Sequence, residues 1–335
     1  MHEKILLGHG SGGKLSSELT RNLFLKYFKN KKLSDLTDSV VLSSNEHIAY
    51  TTDSYVVDPV FFPGGDIGKL AVCGTINDLA VSGAIPKYMT AAFIIEEGFP
   101  LKDLEKIVAS MAQEADSAGI EIVTGDTKIV NKGKCDKIFI NTSGIGFIYQ
   151  QNVNIGSGTL INKGDVIIIN GEIGHHGIAV MSARESLSYT SQVKSDCACL
   201  HKLIESVTSN FQVKFMRDVT RGGLATVLCE IAEKTNLGIE IEEDMIPVDE
   251  DILSICEVFG YDPLYLANEG KVLMVVGPDD AHEVLSLLKK QPLGEKSAVI
   301  GKFVPEHNKM SVLNTTIGGR RIIEMLSGEQ LPRIC

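Results

Sequence analysis

The stretch Ile67-Gly68-Lys69-Leu70-Ala71-Val72-Cys73-Gly74-Thr75-Ile76-Asn77-Asp78-Leu79-Ala80-Val81-Ser82-Gly83-Ala84 decides how this chain folds. Ile67, Leu70, Ala71, Ile76, Leu79 and Ala80 cover nearly every side of a helix, so the segment is expected to be buried all round. Asp66 stands where an N-cap acceptor is needed. Ala71, Gly74, Ala80, Ser82, Gly83 and Ala84 are small and permit close backbone approach. Asn77-Asp78 breaks the apolar surface. A carboxylate there is costly unless it is paired or bound to a cation, which makes Asp78 a stronger metal candidate than a surface aspartate.

Strands and helices alternate on both sides of this segment. Residues 48–57 read as a strand that breaks at Thr51-Thr52-Asp53-Ser54. Residues 88–95 read as a strand, Leu101–Ala118 as an amphipathic helix, and residues 120–124 as a strand ending in Gly125-Asp126-Thr127-Lys128. Ile138–Ile148 is a longer strand in which Gly144 and Gly146 suggest a bulge. Ligands in α/β layers sit off strand ends. Asp53, Asp78 and Asp126 together suggest a magnesium site, because Mg²⁺ takes a few carboxylates and leaves room for phosphate oxygens and water.

Composition narrows the function classes. The chain has 335 residues, enough for two domains, and a net charge of −11. That charge argues against nucleic-acid backbone binding, and the absence of tryptophan argues against stacking platforms for single strands. Seven scattered cysteines form no zinc spacing and fit a reducing, cytoplasmic compartment. Cys197 and Cys199 read as helix-end residues. No apolar run approaches a membrane span.

The glycine-rich run Gly8-His9-Gly10-Ser11-Gly12-Gly13-Lys14 leaves backbone N–H groups free for an anion, but lacks the spacing of a phosphate-binding P-loop. A helical stripe follows at Leu19, Leu23, Phe24 and Tyr27. The polar stretch 150–159 reads as a linker, after which the pattern restarts with strand Val166–Ile169 and an apolar helix. His175-His176 at its start read as capping-region residues. Arg217-Asp218-Val219-Thr220-Arg221-Gly222-Gly223 feeds another helix, where Asp218 is either an approach residue or a further metal contact. Glu269, between an apolar segment and Gly270, is a candidate general base. Residues 322–326 read as a short helix. The chain then closes on Pro332-Arg333-Ile334-Cys335, a thiol at the end of a tail that could reach about 24 Å from Gly328.

The set Gly10-Ser11-Gly12-Gly13-Lys14, Thr52-Asp53-Ser54, Gly74-Thr75-Ile76-Asn77-Asp78-Leu79-Ala80, Thr124-Gly125-Asp126-Thr127-Lys128, Arg217-Asp218-Val219-Thr220-Arg221-Gly222-Gly223 and Ala267-Asn268-Glu269-Gly270 resembles the aminoimidazole ribonucleotide synthetase (PurM-like) superfamily. Selenophosphate synthetase and thiamine monophosphate kinase belong to the same superfamily. The terminal Pro332-Arg333-Ile334-Cys335 is similar to that of the HypE-type [NiFe]-hydrogenase maturation proteins. The likeness runs from Gly8 to Cys335, with His175 where the family usually has Asp and Val219 where it usually has Pro.

The resemblance implies a two-domain α/β (α+β) fold. Residues 1–155 would bind ATP and Mg²⁺ and dimerise through their sheet, residues 156–328 would form a second α/β domain, and residues 329–335 would be a flexible tail. It implies that Cys335 receives a carbamoyl group from HypF, that ATP drives its dehydration to a thiocyanate, and that the cyano group passes to iron on the HypC–HypD complex. Glu269 would be the base and Lys128 the stabiliser of the developing anion. Asp53, Asp78 and Asp126 would hold Mg²⁺, with Lys14 and Asp218 also at the nucleotide. Two other readings stay open. One is another ATP enzyme of the fold such as selenophosphate synthetase, against which counts the lack of a cysteine in residues 8–14. The other is an ATP-gated carrier or scaffold.

Overall fold

The structure, a computed structural model, describes residues 4–6, 19–28, 47–185, 193–325, 331 and 333–335. Lys14, Gly328 and Pro332 lie outside the described residues. In chain order the first half contains β1 (His47–Tyr55), the short pair β2 (Phe61–Phe62) and β3 (Gly65–Asp66), α1 (Ile67–Val81), β4 (Ala84–Glu96), α2 (Leu101–Ala118), β5 (Glu121–Val130) and β6 (Ile138–Ile148). Four of these strands make a sheet in the order β1-β6-β4-β5, in which only β4 and β5 run parallel.

The helix expected to be buried all round is so. Of α1, only Lys69 and Asp78 keep partial exposure. Asp66 caps it, its Oδ1 accepting from Gly68 N at 2.7 Å and Lys69 N at 3.1 Å. A Cβ on Gly68 would lie 2.4 Å from Ile107 O of α2, and one on Gly74 would lie 2.2 Å from the Tyr55 hydroxyl. These two glycines let α1 sit against both α2 and the sheet. Gly144 and Gly146 have the same function rather than marking a bulge on β6: their missing Cβ atoms make room for Leu79 and for Ile85 O. The register shift instead falls on β4, between Pro86 and Tyr88.

The second half contains β7 (Val166–Ile169), α3 (His175–Glu185), α4 (His201–Thr208), β8 (Val213–Asp218), α5 (Gly223–Thr235), β9 (Gly238–Glu242), α6 (Glu250–Phe259), β10 (Val272–Val276), α7 (Ala281–Leu288), β11 (Ala298–Val304), β12 (Ser311–Asn314) and β13 (Arg320–Ile323). A seven-stranded sheet runs β13-β12-β9-β11-β7-β10-β8. β7 and β10, inside it, read as unbroken Val/Ile/Leu/Met runs because both their faces are covered.

Two expectations are corrected. Residues 322–326 were predicted helical, but Ser311 pairs with Ile323 and Asn314 with Arg320 across β12 and β13. A five-residue helix has no favourable nucleus, whereas an edge strand satisfies its backbone at once. The strand predicted to end at Thr124 continues as β5 to Val130, because β4 supplies a partner as far as Glu96. Asp126 therefore sits within a strand, not beyond its end.

Candidate active site

A cavity of about 680 Å³ opens where the first sheet, α1, β8 and the chain end meet. Asp53 from β1, Asp78 from α1, Asp218 from β8, Arg217, Arg221, Glu269 and Cys335 all line it. Residues scattered over 283 positions of sequence thus share one pocket, for identifiable local reasons. The Thr51 hydroxyl donates to Asp78 Oδ2 at 2.9 Å and ties α1 to β1. Val219 N donates to Lys271 O at 2.9 Å, setting the end of β8 beside the Glu269 segment.

The acids crowd one another. Burial, helped by the Asp78 carboxylate, pushes the Asp218 carboxyl up to about 7. Burial likewise raises Asp78. Burial, then Asp196 and Asp218, hold Glu269 well above the usual carboxylate range. Glu269 is 3% exposed, and its Oε1 has no hydrogen-bond partner among the described residues. An orphaned buried carboxylate of this kind is poised to accept a proton from whatever enters the cavity.

Its backbone, by contrast, is held from every side. Asp196 accepts from Glu269 N, Gly270 N and Lys271 Nζ at 3.1, 3.1 and 2.9 Å. Burial works against the Asp196 charge, yet Lys271 holds its carboxyl below the ordinary value. Asn77 of α1 donates to Glu269 O at 3.3 Å and to Ala198 O at 3.0 Å, and accepts from Leu200 N at 2.8 Å. The strap Ser195–Leu200 is thereby clamped between α1 and Glu269. Gly270 is required by this closeness, since a Cβ there would lie 2.0 Å from Asp196 O. Gly270→Ala is expected to cost about 1–3 kcal/mol by overpacking, read as a lower thermal midpoint. An unchanged midpoint would show that the strap yields freely.

The chain end is docked in the cavity. Val56 N donates to Cys335 O at 3.1 Å and Asp58 N to Arg333 O at 3.2 Å, so the tail runs beside the residues that follow β1. Ile334 is 5% exposed, a burial worth about 1.5–3 kcal/mol. Arg184 of α3 donates to Asp58 O and to Arg333 O, at 2.7 and 3.1 Å. Arg333 donates to Val56 O at 3.0 Å and pairs with Asp136.

His176 completes the clamp. Its Nε2 lies 2.7 Å from Ile334 O and its Nδ1 lies 2.8 Å from Ser195 Oγ. With a carbonyl at Nε2, that nitrogen carries the proton, and Nδ1 accepts from the hydroxyl. This role was not legible beforehand. Two adjacent histidines at a helix start look polar, yet His176 is fully buried while His175 is not. His176→Ala would leave the Ile334 carbonyl without its donor. For a loss of about 1.4 kcal/mol the freed-tail population, and with it the alkylation rate of Cys335, should rise about tenfold. Equal alkylation rates would remove His176 from tail docking.

Burial pushes the His176 imidazole below its ordinary value, so the native form is neutral. Its contribution is present above about pH 6.5 and is lost as pH falls through the lower folded-state value. The wild-type thermal midpoint should therefore fall more steeply than that of His176→Gln between about pH 7 and pH 5.

Asp126 and Lys128 do not line this cavity. They pair with each other at 2.8 Å on β5, about 60% exposed, and the Lys128 hydrogen bond lowers the Asp126 carboxyl. The reason is strand parity. Asp53 stands opposite Thr142, whose hydroxyl meets Thr75 of α1 at 2.6 Å, so Asp53 faces the helices. Asp126 stands opposite Ala92 and, beyond it, Asn141, on the other face. That outer face also carries exposed Ile48, Tyr50 and Ile94.

The fold and its shared acidic cavity define a class. The AIR synthase related protein N-terminal domain model matches residues 36–148, and the C-terminal domain model matches residues 162–313. Carbamoyl dehydratase HypE of Rhodobacter capsulatus is 45% identical over 337 residues, covering 99% of this chain and 98% of that protein. A crystal structure of hydrogenase maturation protein HypE in complex with ATP superposes with a TM-score of 0.94 at 44% identity, covering 98% of this chain and 99% of that one. The HypE chain of a HypE–HypF complex superposes with a TM-score of 0.80 at 48% identity, covering 92% and 99%. The chain therefore belongs to the carbamoyl dehydratase HypE family, within the AIR synthase related proteins.

Proposed function

We propose that this protein dehydrates an S-carbamoyl group on its own Cys335 to an S-cyano group at the expense of ATP, supplying cyanide ligands for the iron of a [NiFe]-hydrogenase. One observation carries the reading: the chain end lies in the same cavity as the buried Glu269, whose Oε1 has no partner among the described residues, and three further carboxylates. The named relatives support the dehydratase class, the HypE–ATP structure supports ATP as the nucleotide, and the HypE–HypF structure supports HypF as a partner, which we assign as the carbamoyl donor.

The chemistry follows from the groups present. An amide oxygen is a poor nucleophile and hydroxide a poor leaving group. Glu269 takes one N–H proton of the thiocarbamate, and the resulting imidate oxygen attacks the γ-phosphorus of ATP, releasing ADP. The second N–H proton then passes to the departing phosphate as the C–O bond breaks. Phosphate leaves and the C≡N bond forms on sulfur. The net change is loss of the elements of water from the tail, coupled to ATP hydrolysis. Arg221, whose charge opposes the rise in Glu269, and Arg217 face the developing phosphate charge. Cys335 carries the group and does not act as acid or base.

We assign a magnesium ion to Asp53 and Asp78, with Asp218: burial, then neighbouring carboxylates, raises Asp78 and Asp218, and a divalent cation would favour their charged forms. Mg²⁺ there would neutralise the phosphates. Asp126 and Lys128 reach such a site only from a second copy. The exposed outer sheet face with Ile48, Tyr50 and Ile94 is where we place a homodimer contact that would bring them across. Lys14 we assign to the nucleotide phosphates and HypC–HypD to the accepting side. Residues 1–155, 156–328 and 329–335 remain the proposed division into domains and tail. Among the described residues no helix is long and apolar enough to cross a membrane. We place the reaction in the cytoplasm.

The test is intact-mass spectrometry of the protein carbamoylated on Cys335. Addition of ATP and Mg²⁺ should remove one water mass from the tail peptide. Hydrolysis of ATP with the carbamoyl group unchanged would instead establish a nucleotide-gated carrier.

A further inference from the structure

Three thiols converge outside the cavity lining. Cys73 of α1 and Cys197 of the strap are buried, and Cys199 is half-buried. Cys199 Sγ lies 3.4 Å from Cys73 Sγ, and Cys73 Sγ lies 4.0 Å from Glu114 Oε2 of α2. One ligand atom each from Cys73, Cys199 and Glu114 falls within 4.8 Å of the others. Lys69 Nζ stands 3.6 Å from Glu114 Oε1.

These separations suit a metal better than a disulfide. Two sulfurs bound tetrahedrally at about 2.3 Å from zinc are about 3.8 Å apart. A disulfide needs about 2.05 Å, a contraction of more than an ångström between two segments already held by Asn77. The donor set, two sulfurs and one carboxylate from α1, α2 and the strap, suits a soft divalent cation. We propose that Cys73, Cys199 and Glu114, with water in the fourth position, form a tetrahedral site for one thiophilic divalent cation of the zinc class per chain.

Binding replaces each ligating S–H bond by a metal–sulfur bond and releases the proton to solvent. Without the cation the Cys73 thiol stays protonated, since the neighbouring thiols and burial hold it well above its ordinary range. The site bears on the reaction through the strap. Cys197 and Cys199 flank Ala198, whose N donates to Glu269 O at 3.4 Å. Asp196 and Ser195 just before them hold the Glu269 backbone and His176. An ion bonded to the strap, α1 and α2 at once would fix the frame around Glu269 and the tail clamp.

The experiment is titration of reduced, full-length protein with Co²⁺ as an optical probe. One equivalent should bind with intense near-ultraviolet thiolate-to-cobalt charge transfer and tetrahedral visible bands. Zn²⁺ should bleach these signals, and excess Mg²⁺ should not. Cys199→Ser, at a half-buried position that tolerates the change, and Glu114→Gln should each weaken binding at least about tenfold. Cys335→Ser should leave the spectrum intact. Absence of charge transfer overturns the proposal. So does a spectrum that survives in Cys199→Ser, one that is lost in Cys335→Ser, or one that Mg²⁺ displaces, because each would place the cobalt at the tail or the acidic cavity.

Discussion

Cys335→Ser is expected to bind ATP with unchanged affinity and to form no S-cyano product at all. The serine hydroxyl preserves the shape of the docked end, including Val56 N to the terminal-residue carbonyl and the buried Ile334. What it lacks is the thiolate that attacks a carbamoyl donor, since an alcohol is far less nucleophilic at neutral pH. The loss should appear in the mass of the tail, which stays unmodified after incubation with the donor. Nucleotide binding, measured by calorimetry, should not move. Cyano transfer at the wild-type rate would reject the tail as carrier, and a large loss of ATP affinity would mean that the docked end builds part of the nucleotide site.

Glu269→Gln should accept the carbamoyl group on Cys335 normally and then stall, with dehydration slowed by about 10²–10⁴-fold. The amide keeps the volume of the carboxylate in a position that is 3% exposed, and the clamps on the backbone at Asp196 and Asn77 are untouched. Only the proton acceptor is removed. Accumulation of the carbamoylated tail, resolved by mass from both the free and the cyano forms, is therefore the signature. Glu269→Asp tests the same point from the other side. It retains a carboxylate about one methylene farther from its target and should recover part of the rate. A glutamine variant that dehydrates at the normal rate would assign proton removal to another carboxylate of the cavity, with Asp218 next in line because its carboxyl is held up to about 7.

Much of this was readable in the one-dimensional pattern. The all-apolar 67–81 segment could only be an internal helix, and its Asp66 cap and small residues found the contacts foreseen for them. Leu101–Ala118, Ile138–Ile148 and Val166–Ile169 appear where their pattern placed them. Asp53, Asp78, Asp218, Glu269 and Cys335 share the cavity. The misread places were those where a partner decides the state. Residues 320–323 are a strand because β12 is beside them, and Asp126 is inside β5 because β4 continues there. Cys197 and Cys199, read as helix ends, belong to an irregular strap held to Asn77 and Glu269 far off in sequence.

By itself the sequence determined the fold class, the buried helix, the acidic candidates and the terminal sulfur, because hydrophobic period, capping and residue chemistry are local properties. Only the tertiary structure decided that Asp53 and Asp126 face opposite sides of one sheet, that His176 is a buried clamp on the tail, and that Glu269 Oε1 has no partner among the described residues. Those facts depend on strand parity and on burial by residues more than a hundred positions away, and no local pattern encodes either.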